Sequence, residues 1–379
     1  MSFDYNVLEK KLAEQKVYDA WQYVKSLQET LSYMASSYEL LRKVYEHRKR
    51  TISETETHIF STAMEKGSAS IGENELSRTN LDIAGYVVDD SVFLRKTALE
   101  FFHYARISMD VLFQIINAAL LGDESYPVTD RQLLSNVLGK LKSKSDFKTL
   151  LQLLDSNKKD DRFKYLMAFD NHVKHIKTIL ITIKNSFMIG NHDEFVINEF
   201  YNNGKYYKDE IAIDKIKEIN DYVLNTAETI LSEVLKQVPN CIDNSQRVHN
   251  IKFKMQVDKT DSGSGLSYIA FFIEVENGLS DLPQEIKVLP LLIKPNDEIY
   301  SFDFKYEKIF IRKKNSDENE IIGCAALKNG IETNEFYRTF EVKACDKSDY
   351  LKYIIDFKEK YKQISINVYA MEGQMIFVS

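Results

Sequence analysis

The first part of the chain has a hydrophobic pattern typical of long helices. From Val17 to Tyr45 the apolar residues recur at steps of three, four or seven, which places them on one helical face. The first proline is Pro127, so no proline interrupts a helix before it. We therefore predict a long helix over about residues 4–49, with a continuation to about residue 65.

Capping and turn residues divide the middle of the chain into further elements. Residues 67–90 have the composition of a loop, rich in glycine, serine and asparagine. Capping residues and glycine stops then predict helices over about 91–121, 130–142, 145–157, 160–189 and 213–238. Before the last helix, Asn203-Gly204 lies between aromatic and β-branched residues and predicts a hairpin within 195–212.

From residue 248 onward the pattern changes to apolar residues at every second position, which predicts strands. Further strands are expected at 266–276, 285–293, 299–312, 319–328, 335–344 and 363–378, with one helix over 347–362. Short strands separated by turn residues are typical of an antiparallel sandwich or a barrel-like domain. The predicted fold class is α+β with two segregated domains, joined near 239–247. These are an all-α helical bundle with one inserted β-hairpin over 1–240 and an antiparallel, β-rich, sandwich-like domain over 246–379.

Composition and charge narrow the possible functions. The net charge of −7 over 379 residues does not indicate a general nucleic-acid-binding surface, although a local basic patch is compatible with it. The three cysteines are odd in number and form no CxxC, which fits a reducing compartment. The N-terminus lacks the apolar segment of a signal peptide, and no stretch of eighteen apolar residues occurs. We therefore expect a cytoplasmic protein without a membrane partner.

The predicted helix over 101–121 carries the first candidate functional residues. It is apolar almost all round, which is typical of a buried helix. Five polar residues nevertheless recur along it at steps of three and four, and so lie on one line: His103, Arg106, Asp110, Gln114 and Asn117. Buried charges must be paired and hydrogen-bonded. This polar seam is therefore predicted to face other polar groups or a wet cleft.

The helix that begins after Asp160 offers matching partners. Its polar residues also step by three and four between apolar ones: Asn171, Lys174, His175 and Thr178. We predict that the two polar lines meet, so that Asp110 fixes either Lys174 or the tautomer of His175. Two interpretations stay open: a structural network that fixes the register of the helices, and a ligand- or RNA-binding site in a cleft.

The second line resembles a motif of the HEPN superfamily. Asn171-His-Val-Lys-His175 is similar to the Asn…His part of that motif, and Asp170 stands where the family has arginine. The resemblance extends over about residues 88–237. It implies a helical bundle, often a homodimer, which in many members cleaves RNA without a metal in bacterial defence or stress systems. The missing arginine weighs against cleavage.

The resemblance also implies roles for individual residues. His175 is the candidate general acid or base, and Lys174 and Asn171 complete the candidate catalytic set. The cation that stabilises the phosphate would come from Lys174, Arg106 or Arg162. The candidate ligand-binding set therefore consists of Arg162 and the polar seam. The expected function is binding, and possibly cleavage, of RNA without a cofactor or metal. The alternative is a non-catalytic scaffold whose β domain recognises a protein or small-molecule partner.

Three short features each allow a structural and a ligand-binding interpretation. The basic run 47–50 is either a solvated turn or a phosphate contact. His172 and His175 have the spacing of two metal ligands on a helix, but no third ligand is evident. A cluster of tyrosines and lysines either stacks on bases or packs as a hairpin on its own bundle; its members are Tyr201, Tyr206, Tyr207, Lys205 and Lys208.

Overall fold

The computed structural model divides the chain into two compact units. It describes residues 3–15, 17–70, 72, 79–126, 132–184, 194–238, 248–260, 263–293, 299–301, 308–314, 320–328, 338–360 and 374–378. The helical unit comprises Met1–Lys11, Tyr23–Tyr126 and Arg131–Asn240, and the second unit comprises Leu12–Gln22, Pro127–Asp130 and Cys241–Ser379. Among the described elements, all α-helices but one lie in the first part of the chain and most strands lie in the last third, so the predicted α+β layout is confirmed. The predicted linker at 239–247 lies outside the described residues.

The first predicted helix is two helices in the structure. Helix α1 covers Tyr5–Glu14, and α2 covers Tyr18–Lys66 without a break. The amide of Val17 donates to the carbonyl of Leu12 at 2.9 Å, which closes the end of α1 before α2 begins. The predicted continuation to about residue 65 is confirmed.

Helix α3, Asp90–Leu121, is the buried centre of the helical unit. The side chain of Asp89 caps it by accepting hydrogen bonds from the amides of Ser91 and Val92. Gly122 ends it with a φ of 52° and donates its amide to the carbonyl of Ala118. Among the described helices, α3 alone is long and apolar enough to cross a membrane by composition, but 72% of its most apolar window is buried inside the protein. A core helix has the same composition.

The remaining helices of this unit surround α3. They are α4 Leu133–Lys142, α5 Lys148–Lys159, α6 Asp161–His175 and α7 Ala212–Gln237, of which α4, α6 and α7 contact α3. The prediction of one helix over 160–189 is wrong beyond His175. Ile179 and Ile181 are buried on either side of the exposed Leu180, an alternation that belongs to a strand.

Short strands complete the helical unit. Strands β1 Leu81–Ile83 and β2 Tyr86–Val88 form a hairpin in the segment that we expected to be a loop. Strands β3 Ile181–Lys184, β4 Glu194–Ile197 and β7 Glu210–Ile211 form an antiparallel sheet. The hairpin predicted from Asn203-Gly204 is confirmed: it joins β5 Phe200–Asn202 to β6 Lys205–Tyr207, with φ values of 49° and 76° at the two turn residues.

The second unit is one sheet that closes on itself. Its strands are β8 Val248–Thr260, β9 Gly263–Val275, β10 Glu285–Ile293, β11 Ile299–Ser301, β12 Lys308–Lys313, β13 Ile321–Leu327, β14 Arg338–Lys343 and β15 Gln374–Val378. Their order is β11-β10-β14-β13-β12-β9-β8-β15, and β10 also pairs with β15. The described pairs are antiparallel except β12 with β9, which is parallel. The β-rich domain is thus confirmed, but its strands share one sheet in which one pair departs from the antiparallel pattern.

Helix α8, Lys347–Lys360, covers part of this sheet and confirms the helix predicted over 347–362. Tyr350 and Phe357 are buried on its inner face. The ring of Tyr350 meets Phe310 edge-on at 4.9 Å and Phe272 at 5.7 Å. These aromatic contacts anchor α8 on strands β9 and β12.

Candidate functional site

Four charged side chains connect α3 to α6, and we call them the α3–α6 charge network. Arg106 donates from Nη1 to Asp110 one turn further along α3. Its Nε lies 3.8 Å from Oδ2 of Asp170 on α6. Asp170 Oδ2 in turn lies 2.9 Å from Nζ of Lys174. Polar groups of the two helices therefore do meet, but through Asp170, which is not on the predicted second line. Asp110 is bound by Arg106 instead of by Lys174 or His175.

One side of this network is buried and the other faces water. The side chains of Arg106 and Asp170 are 14% and 7% exposed, while those of Asp110 and Lys174 are 43% and 45% exposed. Burial raises the pKa of the Asp110 carboxyl above its ordinary value, although the positive charge of Arg106 opposes this change. The network is thus closed at Asp170 and open to solvent at Asp110 and Lys174.

Aromatic packing beside the network fixes its geometry. Phe102, one turn before Arg106, stacks on Phe169 with a centroid distance of 4.0 Å. Phe169 precedes Asp170 directly, so this stack holds the carboxylate at the height of the guanidinium. The Nε of Arg106 is buried and has no hydrogen-bond acceptor, so its contact with Asp170 is an ion pair without a close hydrogen bond.

Asn117, at the far end of the polar seam, has a separate structural role. Its Nδ2 donates to the carbonyl of Tyr126 at 2.8 Å, and its Oδ1 accepts the amide of the same residue at 2.9 Å. The side chain is buried, and it fixes the chain that follows α3. Asn117 lies about 16 Å along the helix from Arg106, because each helical residue adds ~1.5 Å.

Arg162 is likewise placed away from the network. It binds both carboxylate oxygens of Asp160 at 2.9 Å and 2.6 Å, and its guanidinium lies 4.7 Å from the ring centroid of Tyr222. These contacts hold it at the beginning of α6. His175 stands at the other end of the same helix, roughly 20 Å away at ~1.5 Å per residue. The structure therefore does not bring Arg162 to His175.

The remaining predicted residues lie near the network but are not part of it. His103 is exposed beside the ring of Tyr104, and Gln114 and Asn171 are half-buried. His175 is the exposed last residue of α6, and Thr178 lies beyond the helix. Of the predicted residues, the structure brings Arg106, Asp110 and Lys174 together and leaves His175 at the surface.

Asp170 has a role in the structure that the sequence analysis did not predict. In the sequence it stands out only as a departure from the family motif, whereas in the structure it carries both contacts that join Arg106 to Lys174. A signal for this role exists in the sequence. Asp170 precedes Lys174 by four residues on a helix whose inner face is apolar, a spacing that favours an ion pair.

The two histidines of α6 lie in different environments. His172 is 4% exposed, and its Nδ1 lies 2.7 Å from the carbonyl oxygen of Tyr201. His175 is exposed one turn later. Among the described residues no group of three histidine, cysteine, aspartate or glutamate side chains could hold a metal ion.

The hairpin β5–β6, which we call the tyrosine hairpin, has a packed face and an exposed face. Phe200 and Tyr207 stack on each other at 4.7 Å, and both meet the buried Tyr165 edge-on at 5.7 Å. On the opposite face, Tyr201 and Tyr206 are 60% and 51% exposed, with ring centroids 5.0 Å apart. The packing interpretation therefore holds for Tyr207, while Tyr201 and Tyr206 are available to a ligand.

The basic run 47–50 lies inside α2, so the interpretation as a solvated turn is wrong. The Nη1 of Arg48 donates to the carboxylate of Asp90, and the two side chains are 6% and 3% exposed. The same Nη1 lies 3.4 Å from the hydroxyl of Thr79. Arg48 is thus a buried partner of the first residue of α3 and is not accessible to a phosphate.

Comparison with known proteins gives one match. Residues 249–376 match the family model described as a domain of unknown function (DUF8310). The match covers about a third of the chain and falls within the second unit. No curated protein and no solved structure matches the chain.

Proposed function

We propose that this chain is a non-catalytic protein that binds single-stranded RNA on the exposed face of the tyrosine hairpin. The observation that carries the proposal is the pair of exposed rings of Tyr201 and Tyr206, 5.0 Å apart. Adjacent exposed aromatic rings form a platform on which unpaired bases stack. The hydrogen bond from His172 to the carbonyl of Tyr201 ties this platform to the segment that resembles the HEPN motif.

Positive side chains around the platform suit a phosphate backbone. Lys205 lies on β6, Lys208 follows that strand, and Lys177 follows α6, which contacts β5. All three side chains are exposed. Burial is the main cause of the raised pKa of Tyr206, and the negative charges of the nearby Glu199 and Asp209 raise it further. We therefore expect modest affinity that falls as the salt concentration rises.

The charges at the α3–α6 network favour binding over cleavage. Cleavage requires a proton-transferring group and an available cation beside the same phosphate. Here Arg106 and Lys174 are both engaged by carboxylates, and Asp110 and Asp170 would repel a phosphodiester. His175 stands on the surface as the last residue of α6.

Fluorescence polarisation with a labelled single-stranded RNA of mixed sequence tests the proposal on the full chain. Replacing both Tyr201 and Tyr206 with alanine should weaken binding at least about tenfold, since each base–aromatic stack contributes ~1–3 kcal/mol. The matched control is Tyr86→Ala, which removes a tyrosine that is 73% exposed on β2. The control should bind RNA with the affinity of the wild type. Both variants should have the melting temperature of the wild type.

Three results would contradict this proposal. The first is that the wild type does not bind RNA at low salt. The second is that Tyr86→Ala loses as much affinity as the double variant. The third would be cleavage of the RNA by the wild type that His175→Ala abolishes, which would instead establish the catalytic alternative.

A further inference from the structure

Two cysteines lie side by side in the second unit. Cys324 on β13 pairs with Lys343 on β14. Cys345 follows Lys343 by two residues, just beyond the end of β14. Both cysteines contact the same hydrophobic core, and both are free thiols.

The thiol of Cys345 donates a hydrogen bond to the sulfur of Cys324, and this bond divides the roles of the two groups. This hydrogen bond lowers the pKa of Cys324 to about 7. The positive charges of Lys308 and Lys343 also lower this pKa, whereas burial raises it. The same bond, together with burial, raises the pKa of Cys345. At neutral pH about half of Cys324 is therefore in the thiolate form, which is the reactive form, while Cys345 keeps its proton.

We propose that Cys324 and Cys345 form a redox modification site that a hydroperoxide converts into an intramolecular disulfide. The site is independent of RNA binding, since it lies in the other unit of the chain. Two free thiols that pack against the same core and share a hydrogen bond lie close enough for a disulfide to form between them.

The reaction balances with the peroxide as the oxidant. The Cys324 thiolate attacks one peroxide oxygen, the O–O bond breaks, and the leaving oxygen takes up a proton to give water or an alcohol. Cys324 is then a sulfenic acid. Cys345 loses its proton to the departing hydroxyl and attacks the sulfur of Cys324, which forms the S–S bond and releases water. The two thiols lose two electrons, and the peroxide gains two.

The disulfide would connect β13 to the beginning of α8. Cys345 precedes Asp346, whose carboxylate accepts the amide of Ser348 at 2.7 Å and so caps α8. Strand β14 lies between β13 and the helix along the sequence, and β13 and the helix are neighbours in the unit. Oxidation therefore adds a covalent link between two elements that packing alone now joins.

Peptide mapping of the full chain tests this site. The reduced protein is treated with hydrogen peroxide, alkylated, digested without reductant and analysed by mass spectrometry. We expect one linked species that joins the peptides of Cys324 and Cys345 and separates when dithiothreitol is added. Its rate of formation should rise with pH to a midpoint near 7, because the thiolate of Cys324 is the attacking group.

Two variants sharpen the test. Cys345→Ser should prevent the link and leave a sulfenic acid on Cys324 that dimedone traps. Cys241→Ser, the matched control, should form the link at the wild-type rate. The proposal is overturned if peroxide consumes the thiols without linking these two peptides, if Cys241 links to either of them equally fast, or if Cys324 reacts with the pH dependence of an ordinary thiol. The mapping of the wild type decides this even if a variant folds poorly.

Discussion

The helical unit contains two charge networks that use the same residue types but differ in their access to water. The pair of Arg48 and Asp90 joins α2 to α3, and its side chains are 6% and 3% exposed. The α3–α6 charge network also joins two helices, yet Asp110 and Lys174 are 43% and 45% exposed. A buried pair left without one partner is strongly destabilised, whereas an exposed pair contributes little. The first network is thus a fixed structural contact, and the second can respond to pH, salt or a ligand.

The largest effect should come from breaking the buried pair. Asp90→Ala leaves the guanidinium of Arg48 inside the protein without its carboxylate, which should lower the free energy of unfolding by about 3–5 kcal/mol. Urea denaturation followed by circular dichroism measures this change. Glu54→Ala, which removes an exposed carboxylate from α2, is the control and should have little effect. A loss below 1 kcal/mol for Asp90→Ala would show that the two networks do not differ as described.

A smaller loss is expected from Asp170→Ala. This change removes the link between α3 and α6, but Arg106 keeps Asp110 as a partner, so the expected cost is about 2 kcal/mol. The matched control is Lys174→Ala, which removes the exposed partner of Asp170 and should cost at most about 0.5 kcal/mol. The same urea titration measures both variants. Equal losses would mean that the buried and exposed sides of the network contribute alike.

The smallest effect at neutral pH should come from Asp110→Asn, within about 0.5 kcal/mol of the wild type, because its ion pair with Arg106 is open to solvent. The folded-state pKa of Asp110 is raised, so its contribution to stability is present below the unfolded pKa and is lost as the pH rises through the folded pKa. Relative to the variant, the wild type should therefore gain stability as the pH falls. Melting temperatures of both proteins between acidic and neutral pH measure this difference. The prediction is contradicted if the melting temperature of the wild type rises relative to that of the variant as the pH rises.

Local signals in the sequence were sufficient for many elements of the fold. Asp89 and Gly122 mark the ends of α3, because capping depends on backbone groups within one turn. Asn203 and Gly204 mark a hairpin turn, because few residues tolerate the left-handed backbone that this turn requires. These features depend on neighbours in sequence, so the sequence alone predicts them.

The failures concern contacts between residues that are distant in sequence. The apolar spacing that defines α6 continues past His175, but pairing with β4 makes Ile181–Lys184 a strand. Arg48 looked like part of a solvated basic run because its partner, Asp90, lies 42 residues away. In the candidate site, the polar spacing predicted that Asp110 would bind Lys174 or His175, whereas Asp110 binds Arg106 and Lys174 binds Asp170. It could not show that Asp170 is the link, since which carboxylate faces the neighbouring helix depends on the packing of Phe102 on Phe169.

The length of α2 has a consequence for the motion of the molecule. Its 49 residues extend roughly 73 Å at ~1.5 Å per residue, yet no residue after Thr55 is buried. The last three turns therefore depend mainly on their own backbone hydrogen bonds, with only a half-buried face along them, formed by Glu56, Ile59, Thr62 and Ala63. Helical segments unwind and reform in less than about a microsecond. We therefore expect the far end of α2 to unwind more readily than the buried part of the same helix, which Arg48 fixes.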